Sequence, residues 1–259
     1  MYLVLCLAVF VAAYLANVLT ITVGYHRALA HQSVTLHPRL KRALVVGGNW
    51  LTGLDPRAWV VMHRLHHAHS DTPLDPHSPM NVGLLGIGLE QLRSYERILV
   101  ALLKKDPEVM RYAKDLDFDL NVLNRSGLWW LPYAVHAAVG MFLGVSVGWL
   151  LGVAYLLGMM SHPVQGGLVN ALGHAIGGRN FETRDNSRNN HLAAWLIFGE
   201  GFQNNHHAHP GSASFSHRRT EIDLGYASCV ALEKLGLCTI HRAALIPREG
   251  AALPSGSEA

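Results

Sequence analysis

The chain has 259 residues, 50% of them hydrophobic and 15% charged, with 21 Lys and Arg against 18 Asp and Glu. That length suits one large domain, and so low a charge content argues for a membrane protein over an ordinary soluble one. Interspersed acids and the lack of a basic stripe exclude nucleic acid as a partner, and three scattered cysteines, Cys6, Cys229 and Cys238, exclude a disulfide framework or a zinc ribbon.

No Lys or Arg falls in residues 1–24 or 126–178, whereas thirteen lie between Arg27 and Arg125 and eight between Arg179 and Arg248. Two uncharged blocks alternating with two basic ones follow the positive-inside rule, which places the basic segments and the C-terminus on the cytoplasmic side. Residues 1–24 read as a first span, an uncleaved anchor without the basic n-region of a signal peptide. His26 and His31 follow directly. Five residues apart on an α-helix, their side chains diverge by about 140°, so they share a site only at a frayed or bent helix end, or else bind separate metals.

Ala43 to Leu54 is apolar but too short to span, and predicts a buried or interfacial helix leading into His63. Trp50 and Trp59 in this region are candidates for lining an apolar channel, with simple packing as the plainer role. His63, His66 and His67 stand at i, i+3 and i+4, one helical face within reach of a shared point. Asp71 and Asp75 follow in a turn-rich loop, either orienting those imidazoles or serving ordinary turn chemistry. Residues 88–125 predict a polar, solvent-exposed helical connection.

The second uncharged block predicts a hairpin of two spans over 126–174, turning near Gly144 to Gly148, with Trp129, Trp130 and Tyr133 as an interfacial anchor. Asn170 and His174, at i and i+4, form an inward-facing ligand pair at its end. His136 and His162 lack a partner at helical spacing and suit hydrogen-bonded structural roles. Gln203, His206 and His207 repeat the spacing of His63, His66 and His67, with glutamine in the first place. Residues 221–237 predict an amphipathic helix on the cytoplasmic face, and 247–259 a small, polar, disordered tail. The expected fold is all-α: one domain over 1–259, an integral membrane helical bundle whose cytoplasmic cap, built from 25–125 and 179–245, holds a histidine-rich dimetal site.

Eight clustered imidazoles exceed the roughly four ligands of one zinc and suit two first-row metals with open positions, for which iron and oxygen chemistry are the natural use. The segments His26-x-x-x-x-His31, His63-x-x-His66-His67 and Gly199-Glu200-Gly201-Phe202-Gln203-Asn204-Asn205-His206-His207, with Asn170-x-x-x-His174, resemble the membrane fatty acid desaturases of the acyl-CoA delta-9 type. The likeness runs from about Val23 to Arg242, and Arg184 to Asn190 is similar to the stretch that precedes the family's third histidine box. The resemblance implies a diiron site that uses dioxygen and two electrons to desaturate a saturated acyl chain held in a narrow kinked channel. It implies His26, His31, His63, His66, His67, His174, His206 and His207 as direct ligands and Asn170 as one acting through water. Asp71, Asp75, Glu200 and Arg188 are the candidates for holding the ligands in place.

Two departures stand out: one span before the first box where the family has two, and Gln203 where the acyl-CoA enzymes have a histidine. An amide oxygen is a harder and weaker donor to iron than imidazole. A related acyl or lipid hydroxylase is the alternative reaction. A non-catalytic metal transporter is a third reading, although its ligands belong near mid-membrane instead of at one end of the spans. Electrons are expected from a separate ferredoxin or cytochrome b5, since His209-Pro210-Gly211-Ser212 only faintly resembles a fused haem domain and few residues follow it.

Overall fold

The computed structural model describes residues 1–249; most of the expected 247–259 tail lies outside them. An apolar helix, α1 (Tyr2–Leu19), runs without a break into a π-helix (Thr20–Ala30). Together they make a 29-residue rod, among the described residues the one helix long and apolar enough to cross a membrane. The helix thus continues past residue 24, where the first span was expected to end. Arg27, the first charge, does not end the helix because its side chain is fully buried and ion-paired.

The strand β1 (Val34–Leu36) leads into α2 (Pro38–Thr52), which starts with Pro at its first turn and leaves Val46 and Leu51 exposed. Helix α3 (Pro56–His69) has a strong start signal: Asp55 accepts from the backbone N–H groups of Arg57 and Ala58, and Pro56 needs no partner for a nitrogen it lacks. This helix carries His63, His66 and His67.

Helix α4 (Pro79–Leu103) breaks at Gly83, where φ is +73°. Its Ile87, Gln91, Ser94, Ile98 and Leu102 recur at helical spacing and are buried, so the solvent-exposed connection expected over 88–125 is instead half-buried. Ile98 and Leu102 pack on Ala58, Val61 and Met62 of α3, with Ala113 and Leu120 closing the cluster. Two short helices follow, α5 (Pro107–Met110) and α6 (Val122–Arg125).

Helices α7 (Leu131–Ser146) and α8 (Trp149–Met159) form an antiparallel pair about a turn at Val147 and Gly148, and α8 packs along α1. A second break, at Met160 and Ser161, separates α8 from α9 (His162–Ala175), which turns to pack on α4. Leu3, Leu7, Met141, Phe142, Trp149 and Leu157 are all exposed on α1, α7 and α8, the kind of apolar surface that marks contact with lipid or another protein. The chain closes with α10 (His191–Leu196), α11 (Gln203–Ala208), α12 (Leu224–Lys234) and β2 (Cys238–Ile240). Strand β2 pairs antiparallel with β1, Val34 opposite Ile240. The architecture is thus mostly helical, with this small ladder added to the expected helices. It joins the segment after α12 to the residues just past His31.

Candidate metal centre

The five-residue spacing of His26 and His31 is resolved by the π-helix. Its hydrogen bonds run from residue i to i+5, and the backbone N–H of His31 donates to the carbonyl of His26 at 3.1 Å. Residues five apart then come to the same side of the helix, and the two rings lie 5.0 Å apart at 60° to each other. A single site needs neither a frayed end nor separate metals.

Eight imidazoles gather into two adjacent sets. His26, His31, His63, His67 and His206 bring their ligand atoms within 4.8 Å of one another, and so do His66, His174 and His207. The His63, His66 and His67 triplet therefore does not serve one shared point. Neighbouring residues are about 100° apart around a helix, so His66 turns to one set and His67 to the other, and His206 and His207 divide in the same way on α11.

The nitrogens are placed for a cation. Nε2 of His26 lies 2.9 Å from Nε2 of His206, which is also 2.9 Å from Nε2 of His67, and Nε2 of His31 is 2.7 Å from that of His63. Two donors at right angles on an ion with bonds of about 2.1 Å stand about 3 Å apart. His174 Nε2 and His207 Nε2 are buried without a partner among the described residues, a costly state unless something binds them. Burial, reinforced by the neighbouring imidazoles, holds His63, His67 and His206 well below the usual imidazole range, which keeps the rings neutral and able to ligate. The residues present fit two imidazole-bound metal ions.

Four of these rings are anchored from behind by carboxylates at Nδ1: His26 by Glu200 at 2.6 Å, His66 by Asp75 at 3.0 Å, His174 by Asp71 at 3.0 Å and His207 by Asp185 at 2.7 Å. Each anchor fixes the tautomer, turning the lone pair of Nε2 forward. Burial raises the Asp75 carboxyl, but the hydrogen bond from His66 prevails and holds it at about 2; hydrogen bonds from His174 and His207 hold Asp71 and Asp185 low in the same way. Glu200 is delivered by a tight loop. Gly199 has φ +91°, and a Cβ on Gly201 would meet the backbone of Asn190 and Ala194.

Asp185 is the anchor that the spacing did not reveal. Its oxygens also accept from Ser187 N at 3.0 Å and Thr183 Oγ1 at 2.8 Å, the signature of an Asx turn. The Asp185→Asn variant is expected to lower metal affinity by about 10- to 100-fold, measured as metal per chain after dialysis; unchanged retention would make Asp185 only a turn residue.

The remaining candidates separate. Gln203 and Asn170 line a cavity of about 70 Å³ together with His63, His66, Trp59 and Met62, and Trp59 stacks on His63 at 5.0 Å. Trp50 does not line it; its carbonyl instead accepts from His136, whose other nitrogen meets Tyr155. Arg188 is not brought to the histidines: its guanidinium donates to the carbonyl of Gly177. His162 departs from its expected hydrogen-bonded role, for its Nδ1 is buried without a partner among the described residues, as is that of His77, and both line the same cavity. Beyond it lies an apolar groove of about 810 Å³ between α1, α8, α9 and α10, lined by Phe10, Tyr14, Leu156, Met160 and Trp195 among others. Gln165 and Ile197 border both spaces.

The family model described as fatty acid desaturase matches residues 2–221. Among curated proteins, the hex-5-enoyl-[acyl-carrier protein] acetylenase of Moorena producens (strain JHB) is 34% identical, covering 85% of this chain and 72% of its own length. The sn-1 stearoyl-lipid 9-desaturase of Anabaena variabilis is 33% identical, over 85% of this chain and 78% of the relative. An acyl-CoA C20 Delta5-desaturase of Anemone leveillei is also 33% identical, over 84% and 67% respectively.

Proposed function

Because this chain belongs to the fatty acid desaturase family, and is therefore an oxidoreductase, we propose that it introduces a double bond into a saturated fatty acyl chain, using dioxygen and two iron ions. The observation that carries the reading is the convergence of eight imidazoles in two adjacent sets, four of them tethered by carboxylates, beside a cavity that meets an apolar groove.

His26, His31, His63, His67 and His206 would hold one iron, and His66, His174 and His207 the other, with Asn170 acting through water. When bound, the two irons supply the dioxygen activation that lets hydrogens be taken from two adjacent methylenes, with one dioxygen, two electrons and two protons consumed and two waters released. The carboxylate tethers keep the imidazoles from rotating away from their shared points. Trp59, stacked on His63, covers that ring with apolar surface and helps exclude water. Methylenes along a saturated chain have no polarity for a side chain to read, so the position of the new bond depends on where the acyl chain is stopped in the groove between α1 and α8. The apolar rod, the exposed apolar faces of α7 and α8 and the distribution of Lys and Arg support an integral membrane protein with the histidines and C-terminus on the cytoplasmic side. Electrons are supplied by a separate ferredoxin or cytochrome b5 type protein.

Expression with a competent electron donor in a host rich in saturated acyl chains tests this. The wild-type chain is expected to create new monounsaturated species that a His66→Ala variant does not make. Identical fatty acid profiles would overturn the proposal, and a hydroxylated product with no new double bond would replace it with the hydroxylase reading.

A further inference from the structure

The two donor sets are unequal: five imidazoles in one and three in the other. Gln203 sits beside the poorer set. A Cβ built on Gly173, the neighbour of His174, would lie 2.5 Å from Gln203 Cγ, and Gln203 lines a cavity with His66 of this set and with His26 and His63 of the other. Its amide orientation is fixed by its partner. Nε2 is 2.7 Å from the carbonyl oxygen of Glu200, a group that can only accept, so the NH₂ faces Glu200 and Oε1 is the atom left free. Among the described residues nothing donates to that oxygen. Asn170 is set in the same way: Gln91 gives its own amide nitrogen to the carbonyl of Pro163 at 2.7 Å, so Gln91 Oε1 faces Asn170 and draws the NH₂ of Asn170 toward it.

We propose that Gln203 Oε1 completes the three-imidazole position, and that the two metal positions therefore differ in strength, the five-imidazole position keeping its ion while the position of His66, His174 and His207 exchanges. The inference rests on the dimetal reading above and deepens it. Neutral amide oxygen binds a first-row divalent ion less well than imidazole, and even changing a residue that only orients a metal ligand is worth about 10- to 100-fold in affinity. The chain then has a stable one-metal form, and metal supply acts on it through one position.

The test uses the purified full chain in detergent, loaded with ferrous iron and separately with cobalt(II), then dialysed against rising chelator, with metal per chain read by mass spectrometry and the cobalt spectrum followed. The wild type is expected to lose metal in two steps with a plateau near one ion. Gln203→His is expected to move the first step to at least about tenfold higher chelator, Gln203→Leu to leave one ion at the lowest chelator, and Gln203→Glu, which keeps an oxygen donor, to preserve two steps. A single-step loss from the wild type, or a Gln203→Leu variant with the wild-type two-step profile and an unchanged melting temperature, overturns the inference. A wild type that takes up no metal at all overturns the dimetal reading itself, and this inference with it.

Discussion

Replacing His206 with alanine is expected to lower double-bond formation by at least about 100-fold, since even residues that only orient metal ligands cost about 10- to 100-fold when changed. His206 is fully buried, and its Nε2 is 2.9 Å from the Nε2 atoms of both His26 and His67. Losing it removes the donor that joins the π-helix to α3, and it leaves a buried void between Phe215 and the other rings, because the Phe215 ring stands 4.4 Å from that of His206. Metal content and fatty acid profile should be read together, with the His37→Ala variant as control. His37 only caps α2, accepting from Arg39 N at 3.3 Å, so its loss should weaken that cap and spare the metal. A His206→Ala protein with two bound metals and wild-type product would remove the five-imidazole set from the chemistry.

The histidine boxes were legible because their side chains are costly to bury without a partner and their spacing on helices is regular. The way they divide between two points was not, since i, i+3 and i+4 describe one broad stripe and only the packing of α3 against the π-helix, with the His66 ring 5.1 Å from that of His174, decides which ring turns to which side. The His26 and His31 spacing did carry a signal. Five residues match no α-helical face but match a turn closed from i to i+5, and taking the spacing literally would have pointed to the π-helix. Asp185 was hidden for a different reason. It lies 22 residues from His207 in a loop, and no periodicity relates a loop residue to a helix it meets only in space. Glu200 could be nominated because it lies close to His206 in sequence, but its partner is His26, across the chain. The half-buried face of α4 was missed because its buried positions include Gln91 and Ser94, which read as solvent-facing until the cavity and Pro163 supply partners for them.

Removing the charge of Arg27 is expected to destabilise the fold by about 3–5 kcal/mol, the usual result of leaving a buried ion pair without one partner. The guanidinium has no solvent exposure and lies 2.7 Å from Glu200 Oε1 and 3.1 Å from Asp223 Oδ2. It also donates from Nε to the carbonyl of Ala213 at 2.8 Å and sits 3.9 Å over the Phe215 ring. One residue thus ties together the anchor of His26, the cap of α12 and the loop that covers His206. In Arg27→Met the methylene volume is roughly kept, while Glu200 and Asp223 both lose the guanidinium that pairs with them. Acid should then affect the two proteins in opposite ways. In the wild type, burial works to raise the Glu200 carboxyl but His26 and Arg27 prevail and hold it below its ordinary value of 4.5. Its stabilising contribution is therefore complete above that value and is lost as pH falls through the lower folded value. In the variant Glu200 keeps the burial that raises its carboxyl and loses Arg27, so its protonation relieves the buried charge and stability is regained as pH falls toward about 5. Thermal unfolding of the metal-free protein between about pH 7 and about pH 5 should show a large gap in melting temperature that narrows in acid. Arg27→Lys, with one compact charge and no fork, should fall between the two. Equal melting temperatures at neutral pH, or a gap that widens in acid, would mean that Arg27 is held by packing on Phe215 and not by its two carboxylates.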